Sequence, residues 1–589
     1  MTESPLGLAA PPLALVQDPA GTGWLAFDRA REVLRADTLA EVTGVLEAAE
    51  EATARSSWAV GFCTYEAAGA FDPALTTHSS SDLPLAWFAL CEPPQAVPDA
   101  GLPAPTPFQL GRLQASLTPA EHAAGVARIQ EWIARGDTYQ VNYTHRLRGR
   151  LAGDAWGLFR ALERGQRTRH AAWIDIGSHV VCSASPELFF ALDGDRLTSR
   201  PMKGTAPRGR TTAEDRLQAA ALAASVKDRA ENVMIVDMLR NDLGRVARRG
   251  SVETARLFDV ERYDTVFQMT STVVAHTDQS VGSIFGALFP CASITGAPKV
   301  RTMELITRLE PDPRGLYTGA IGWLAPGRRA AFSVAIRTAV VSRHDGALSY
   351  GTGGGIVWDS DPAAELAECG HKTRILTASR PPFELLETLA WRPARGYHLL
   401  DRHLERLADS ADYFGFTLSR RAALATLEGA ASHWDQPRRV RLTVTRSGET
   451  SLSSLPLDPT SEPVRLALAA APVDSADPFL FHKTTHRETY QRARAGRPGF
   501  DDVLLWNERG ELTESTIANV VLELDGGLFT PPQTCGLLAG TERAELLARS
   551  EIEERVLLTT DLGRCGAIYL VNSVRGRLLA DLVEAPEIG

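Results

Sequence analysis

The chain has 589 residues, a net charge of -10, 44% hydrophobic residues and 23% charged residues. That length exceeds a single core and predicts about three to four domain-sized units of ordinary globular composition. The acidic balance speaks against a nucleic-acid binder, whose electrostatic footprint is a basic patch. Seven cysteines (63, 91, 182, 291, 369, 535 and 565) stand singly, with no Cys-x-x-Cys pair. That pattern argues against a disulfide framework and against a zinc site. Met1-Thr2-Glu3-Ser4-Pro5 lacks the basic and apolar regions of a signal peptide, and no apolar run reaches the length of a membrane span. The expected compartment is the cytoplasm, with no membrane partner.

In chain order, residues 1–92 mix short apolar strands, Trp24 to Phe27 and Trp58 to Phe62, with a helical stretch near 39–53. The proline-rich run 93–107 reads as an extended surface loop. Thr118 as N-cap, Pro119 at the first helical position and Glu121 two residues on predict a helix to about Arg135, stopped by Gly136. Strands are expected at 139–149, 171–176, 179–184 and 187–192. One long helix is expected at 212–243, then strands within 257–275. Ser293 to Lys299 turns into a helix at Pro298, and Tyr350 to Gly355 ends a strand in a glycine run. Asp361-Pro362 caps a helix to about Thr377. Ser379-Arg380-Pro381-Pro382 reads as a linker, and a second mixed region begins at Phe383. The domains are thus 1–378, with an N-terminal subregion 1–108 and a core 109–378, then the linker 379–382, then 383–589.

The first chemistry-bearing stretch is Ser199-Arg200-Pro201-Met202-Lys203-Gly204-Thr205. Pro201 cannot donate to a ladder and Gly204 frees the backbone, so Lys203 is expected at a strand edge facing a cavity. A desolvated lysine is a usable nucleophile, whereas an isolated one is most often a surface group. Glu231 lies on the long helix, and Glu365 and Glu368 are three apart on one helix face. Such carboxylates suit Mg²⁺, or else they are solvated helix faces paired with Lys372 or Arg374. Gly351 to Gly355 forms a tight turn or a backbone cradle for an anion, without the Gly-Lys-Ser/Thr ending of a P-loop.

Taken together, Gly136 to Asn142, Ser185-Pro186-Glu187, Glu231 to Gly244, Thr295 to Lys299, Arg337 and Gly353 to Lys372 resemble the chorismate-utilising enzymes. These comprise anthranilate synthase component I, aminodeoxychorismate synthase component I, and the isochorismate and salicylate synthases. The resemblance implies a two-layer sheet sandwich with helices. It further implies Lys203 as nucleophile, Glu187 as acid, and Mg²⁺ on Glu231, Glu368 and Glu365. The substrate carboxylates would fall to Arg337, Thr295, Lys372 and the backbone of Gly353, Gly354 and Gly355. Gln140 stands where water-using members carry a lysine, which implies ammonia as the nucleophile. Lys203 stands where anthranilate synthases carry alanine, which implies the aminodeoxychorismate branch. Val266-Phe267-Gln268 replaces a histidine-containing run, and the Leu-Leu-Glu-Ser motif of a tryptophan site is not apparent.

In the second region, Phe479 to Thr485 places Lys483 after an apolar strand. Gly510 to Asn519, with Glu514 and Ile517, and Leu538-Ala539-Gly540-Thr541 follow, the last opening a helix at 542–549. A helix N-terminus with a free hydroxyl suits phosphate. The set resembles the fold-type IV pyridoxal phosphate enzymes, with Ala539 in place of the usual proline. It implies a D-amino acid aminotransferase-like α/β domain with Lys483 as the Schiff-base lysine and Glu514 on the pyridinium nitrogen. Arg406, Thr541 and the Ile517 backbone would hold the phosphate. Within that family the residues fit an aminotransferase or aminodeoxychorismate lyase equally, and the fusion favours the lyase.

The expectation is therefore an α+β enzyme of 4-aminobenzoate synthesis using Mg²⁺ and pyridoxal 5'-phosphate, acting on chorismate and ammonia. No Gly-x-Cys-x-Gly turn is present, so a separate glutamine amidotransferase subunit is expected, together with a homodimer through the second domain. The rival readings are an anthranilate synthase fused to an aminotransferase, an enzyme stopping at aminodeoxychorismate, and a non-catalytic scaffold.

Overall fold

The computed structural model describes residues 7–18, 21, 23–79, 82–376 and 382–584. The N-terminal stretch read against a signal peptide lies outside them, as do Thr377 and all of the expected linker but Pro382. Two compact units make up the chain: Met1–Pro207 with Ala219–Arg380, and Arg208–Gln218 with Pro381–Gly589.

In the first unit, strand residues alternate between two cores, as a period of two requires. Val60 and Phe62 join Ala14, Val16, Trp87 and Ile174 in one cluster, while Ala59 and Cys63 join Phe88, Leu46 and Phe285 in another. The first cluster draws on two antiparallel sheets, of eleven and ten strands among the described residues, and so is the filling of a two-layer sandwich. The second cluster seals the outer face of the ten-stranded sheet with the helices Leu39–Ala54 and Val281–Leu288. The expected helix start at Thr118 forms: its Oγ1 accepts from Glu121 N, while Glu121 Oε2 accepts from Thr118 N at 2.8 Å. Asp361 likewise caps the helix Pro362–Thr373 by accepting from Ala364 N at 2.8 Å.

Three local expectations need correction. The long helix expected at 212–243 is two, Thr212–Ala224 and Val226–Gly244, because Ser225 accepts from Asp228 N and caps the second. The glycine run ends a strand as expected but makes no tight turn. It is the end of the strand Ala347–Ile356, with Gly353, Gly354 and Gly355 in register with Thr144, Tyr143 and Asn142 of the strand Gln140–Gly153. Lys483 follows a 3₁₀ turn, Pro478–Leu480, rather than a strand, because Asp477 accepts from Phe479 N and Pro478 suits a first helical position.

The second unit has a four-stranded antiparallel sheet and an eight-stranded mixed sheet among the described residues, the latter with Val464–Leu468 parallel to two neighbours. Arg208–Gln218, which the sequence places in the first region, packs here. The Arg208 guanidinium grips Asp215 and donates to Tyr413 O at 2.8 Å, and Tyr413 Oη donates to Gly209 O at 2.7 Å. Among the described residues, no helix is long and apolar enough to cross a membrane.

Candidate active sites

The first site is a cavity of about 300 Å³ lined by Lys203, Glu187, Glu231, Arg337, Glu365 and Glu368, among others. Lys203 lies on Met202–Pro207, the terminal strand of the ten-stranded sheet, as its Pro201 and Gly204 neighbours predict. Its Nζ is 3.9 Å from Glu231 Oε2. A Cβ at Gly355 would lie 2.3 Å from that Nζ, and a Cβ at Gly354 would lie 2.9 Å from Glu365 Oε2. The glycines therefore clear space for the lysine and the carboxylate.

Glu187 sits at the start of the strand Leu188–Asp193, buried to 3% exposure. Burial pushes its carboxyl up to about 7, although Ser293 Oγ donates to Oε1 at 2.6 Å and the Met202 amide also acts to lower it. A carboxyl poised near neutrality, 100-odd residues from the serine that holds it, can deliver a proton at physiological pH. Ser293 carried no local sequence signal for this contact.

Arg337 is held in the left-handed region, φ 51°, and lines the cavity. Lys372 donates to Gly353 O at 2.8 Å and pairs with Glu368 at 2.8 Å. Burial and the neighbouring Glu368 raise Glu365; burial would raise Glu368 too, but Lys372 and Lys203 outweigh it and hold it low. Thr295 is not brought to the cavity. Its Oγ1 donates to Cys291 O and Ala292 O, its own turn, and Ser293 and Ile294 form the wall in its place.

No group of three His, Cys, Asp or Glu side chains close enough to hold a metal occurs among the described residues. Mg²⁺ needs only one or two carboxylates and keeps waters, so the hard oxygen donors and the room beside Glu365 fit it without a third ligand.

The second site is a cavity of about 420 Å³. Lys483 lines it, and burial, with Arg406 nearby, depresses its amine to about 8. Glu514 lines it too, pushed up to about 7 by burial while accepting from Tyr490 Oη at 2.8 Å and Leu538 N at 3.1 Å. Ile517 and Thr541 are on the wall, and Thr541 opens the helix Thr541–Ala548. Arg406 is on the wall as well, but its charge is already matched. Its Nε and Nη2 donate to the two oxygens of Glu387 at 2.9 and 2.7 Å. Glu387 also meets His403 Nδ1 at 2.6 Å, and His403 Nε2 reaches Ser573 Oγ and Thr541 Oγ1. Glu387 was legible: it alternates with Leu385 and Leu389 on the core face of Leu385–Arg392, where an unpaired carboxylate would be too costly. A half-buried amine and a buried carboxyl in one cationic cavity fit a phosphorylated pyridine aldehyde.

Residues 11–378 match the model of the chorismate binding enzyme family. The chain belongs to that family. Residues 384–579 match the amino-transferase class IV family, so the chain joins a chorismate-binding domain to a class IV domain. Aminodeoxychorismate synthase component 1 of Salmonella typhimurium is 42% identical over 278 residues, 46% of this chain and 61% of that protein. Anthranilate synthase component 1 of Streptomyces coelicolor is 41% identical over 298 residues, 47% of this chain and 57% of that protein. The alignments thus span less than two thirds of either relative. Anthranilate synthase component I from Streptococcus pneumoniae matches with a TM-score of 0.51 at 22% identity, covering 63% of this chain and 91% of that one, a likeness of fold.

Proposed function

We propose that the first unit aminates chorismate at C4 and that the second eliminates pyruvate from the product, leaving 4-aminobenzoate. The observation that carries the first half is Lys203, whose Nζ faces space cleared by Gly355 in the cavity that holds Glu187. Identity alone does not separate the branches, since the two relatives above differ by one percentage point. A lysine at this position favours amination at C4, because it can occupy C2 while C4 reacts.

In the first step Lys203 Nζ bonds to C2 as the ring double bonds shift and the C4–O bond breaks. Glu187 gives its proton to the departing hydroxyl, which leaves as water. Ammonia then bonds to C4, the double bonds shift back, and the C2–Nζ bond breaks to return Lys203. Arg337 and Lys372 supply positive charge for the carboxylates. Glu231 and Glu368, with Glu365 close by, would hold Mg²⁺, which would supply positive charge for the ring carboxylate.

In the second unit, pyridoxal phosphate supplies an electron sink when bound. Lys483 would carry it, Thr541, the Ile517 backbone and Arg406 would hold its phosphate, and Glu514 would keep its ring nitrogen protonated. Lys483 takes the C4 proton and delivers a proton to the enolpyruvyl methylene, so that the ring becomes aromatic as pyruvate leaves. Ammonia is supplied by a separate glutamine amidotransferase subunit, the class IV domain dimerises, and the enzyme works in the cytoplasm.

Chromatography of the products from chorismate, ammonium, Mg²⁺ and pyridoxal phosphate tests this. 4-Aminobenzoate plus pyruvate is expected. 2-Aminobenzoate would overturn the first half, and accumulated aminodeoxychorismate the second. Full turnover by the purified chain on glutamine alone would remove the need for a partner.

A further inference from the structure

The wall of the second cavity carries more positive charge than a cofactor phosphate needs. Lys483, Arg406, Arg439, Arg441, Arg487 and Arg575 line it against one carboxylate, Glu514. Arg406 is neutralised by Glu387, and Arg487 donates to Thr516 O and lies 4.5 Å over the Tyr490 ring. For Arg439, Arg441 and Arg575 there is no carboxylate partner among the described residues, and Arg575 Nε is buried without a hydrogen bond.

Arg439 and Arg441 stand two residues apart on the strand Arg438–Val444, and so on one face. The intervening Val440 and the following Leu442 and Val444 point the other way, into the core with Leu385, Leu389 and Trp391. On the cavity side Arg441 is in register with Thr388 and Ser453, and Arg439 with Leu455. The two arginines are exposed, whereas Lys483 is half-buried and Glu514 buried, so the arginines occupy the mouth and the reactive pair lies deeper. Two residues along a strand are roughly 7 Å apart. That separation suits two carboxylates on one small molecule, each taken by a planar guanidinium fork. An apolar amino acid brings a single carboxylate and would leave one arginine unanswered.

We infer that Arg439 and Arg441, together with Arg575, form a dicarboxylate-recognition site that selects the substrate of the second unit. This rests on the elimination proposed above only for the identity of that substrate, whose ring and enolpyruvyl carboxylates are the two charges. The site disfavours monocarboxylate amino acids by leaving one of its arginines without a carboxylate partner.

The test uses the full chain loaded with pyridoxal phosphate. Arginines are modified with phenylglyoxal and mapped by peptide mass, with either 3-(1-carboxyvinyloxy)benzoate or 3-methoxybenzoate as protectant. Protection of Arg439 and Arg441 by the dicarboxylate, at least tenfold better than by the monocarboxylate, is expected. Equal protection by the two, or none, overturns the site. For turnover, Arg439→Gln and Arg441→Gln are expected to raise KM for aminodeoxychorismate about tenfold or more each, with kcat within about threefold. Loss in kcat with unchanged KM also overturns the site. Selective protection without pyruvate release would leave the dicarboxylate site standing and sink the elimination instead.

Discussion

Ser293 Oγ donates to Glu187 Oε1 at 2.6 Å, both groups buried, across 106 residues of sequence. The serine favours the ionised acid, while burial favours the protonated one and prevails. Replacing Ser293 with alanine removes a hydrogen bond to a charge, on the order of 1.5–3 kcal/mol, or about one to two pH units. The alkaline limb of kcat for amination, which reports loss of the acid's proton near 7, is expected to move up by about that much. An unmoved limb in S293A, read with ammonium as nucleophile, would refute the assignment of Glu187 as the acid.

The same raised carboxyl makes stability pH-dependent. Between the ordinary value of 4.5 and about 7 the folded chain binds a proton that the unfolded chain has released. Stability therefore falls as pH rises through that window, by roughly 3 kcal/mol for a shift of this size. Glu187→Gln is expected to be more stable than the parent at pH 8 and to lose that advantage below about pH 4.5. Denaturation at the two pH values checks this.

Gly355→Ala places a methyl 2.3 Å from Lys203 Nζ and 2.8 Å from Gln140 Nε2. Both are ends of side chains, so the fold absorbs the change while the nucleophile moves. Amination is expected to fall about 100-fold, the cost of about 1 Å of misplacement, with Tm nearly unchanged. Cleavage of supplied aminodeoxychorismate by the same protein is expected to be unaffected.

Glu387 is held down to about 2: burial opposes its charge, but Arg406 and His403 overcome it. Its folded value lies below the unfolded one, so its contribution is present above the ordinary carboxylate range and lost as pH falls toward 2. Glu387→Gln leaves Arg406 without its counter-charge and is expected to destabilise by about 3 kcal/mol or more at neutral pH. Urea denaturation followed on the class IV domain measures it, and the difference should narrow in acid.

Borohydride reduction of the chain with pyridoxal phosphate is expected to leave the pyridoxyl mass on the peptide containing Lys483. Label elsewhere would remove Lys483 from its role. Chelation with EDTA is expected to stop amination while leaving cleavage of supplied aminodeoxychorismate intact.

Local chemistry was legible without coordinates. The Thr118–Glu121 box and the Asp361 cap form as the residues dictate, because capping is settled within one turn of helix. Lys203 beside Pro201 and Gly204 reaches a strand edge at a cavity for the same reason. The residue types proposed as acid, nucleophile and metal ligands were likewise written in the chain, since chemistry belongs to the side chain itself. Other features were settled only where distant segments meet. Thr295 turns back onto its own loop while its neighbour Ser293 reaches Glu187, a choice made by packing. Arg208–Gln218 leaves the region its sequence position suggests because Arg208 and Gly209 find Tyr413 about 200 residues on. The glycine run becomes a strand whose missing side chains make room for Lys203, and that depends on two segments approaching to within van der Waals distance. Burial, which sets Glu187, Lys483 and Glu514 near neutrality, is a property of everything packed around a residue, so no stretch of sequence carries it alone.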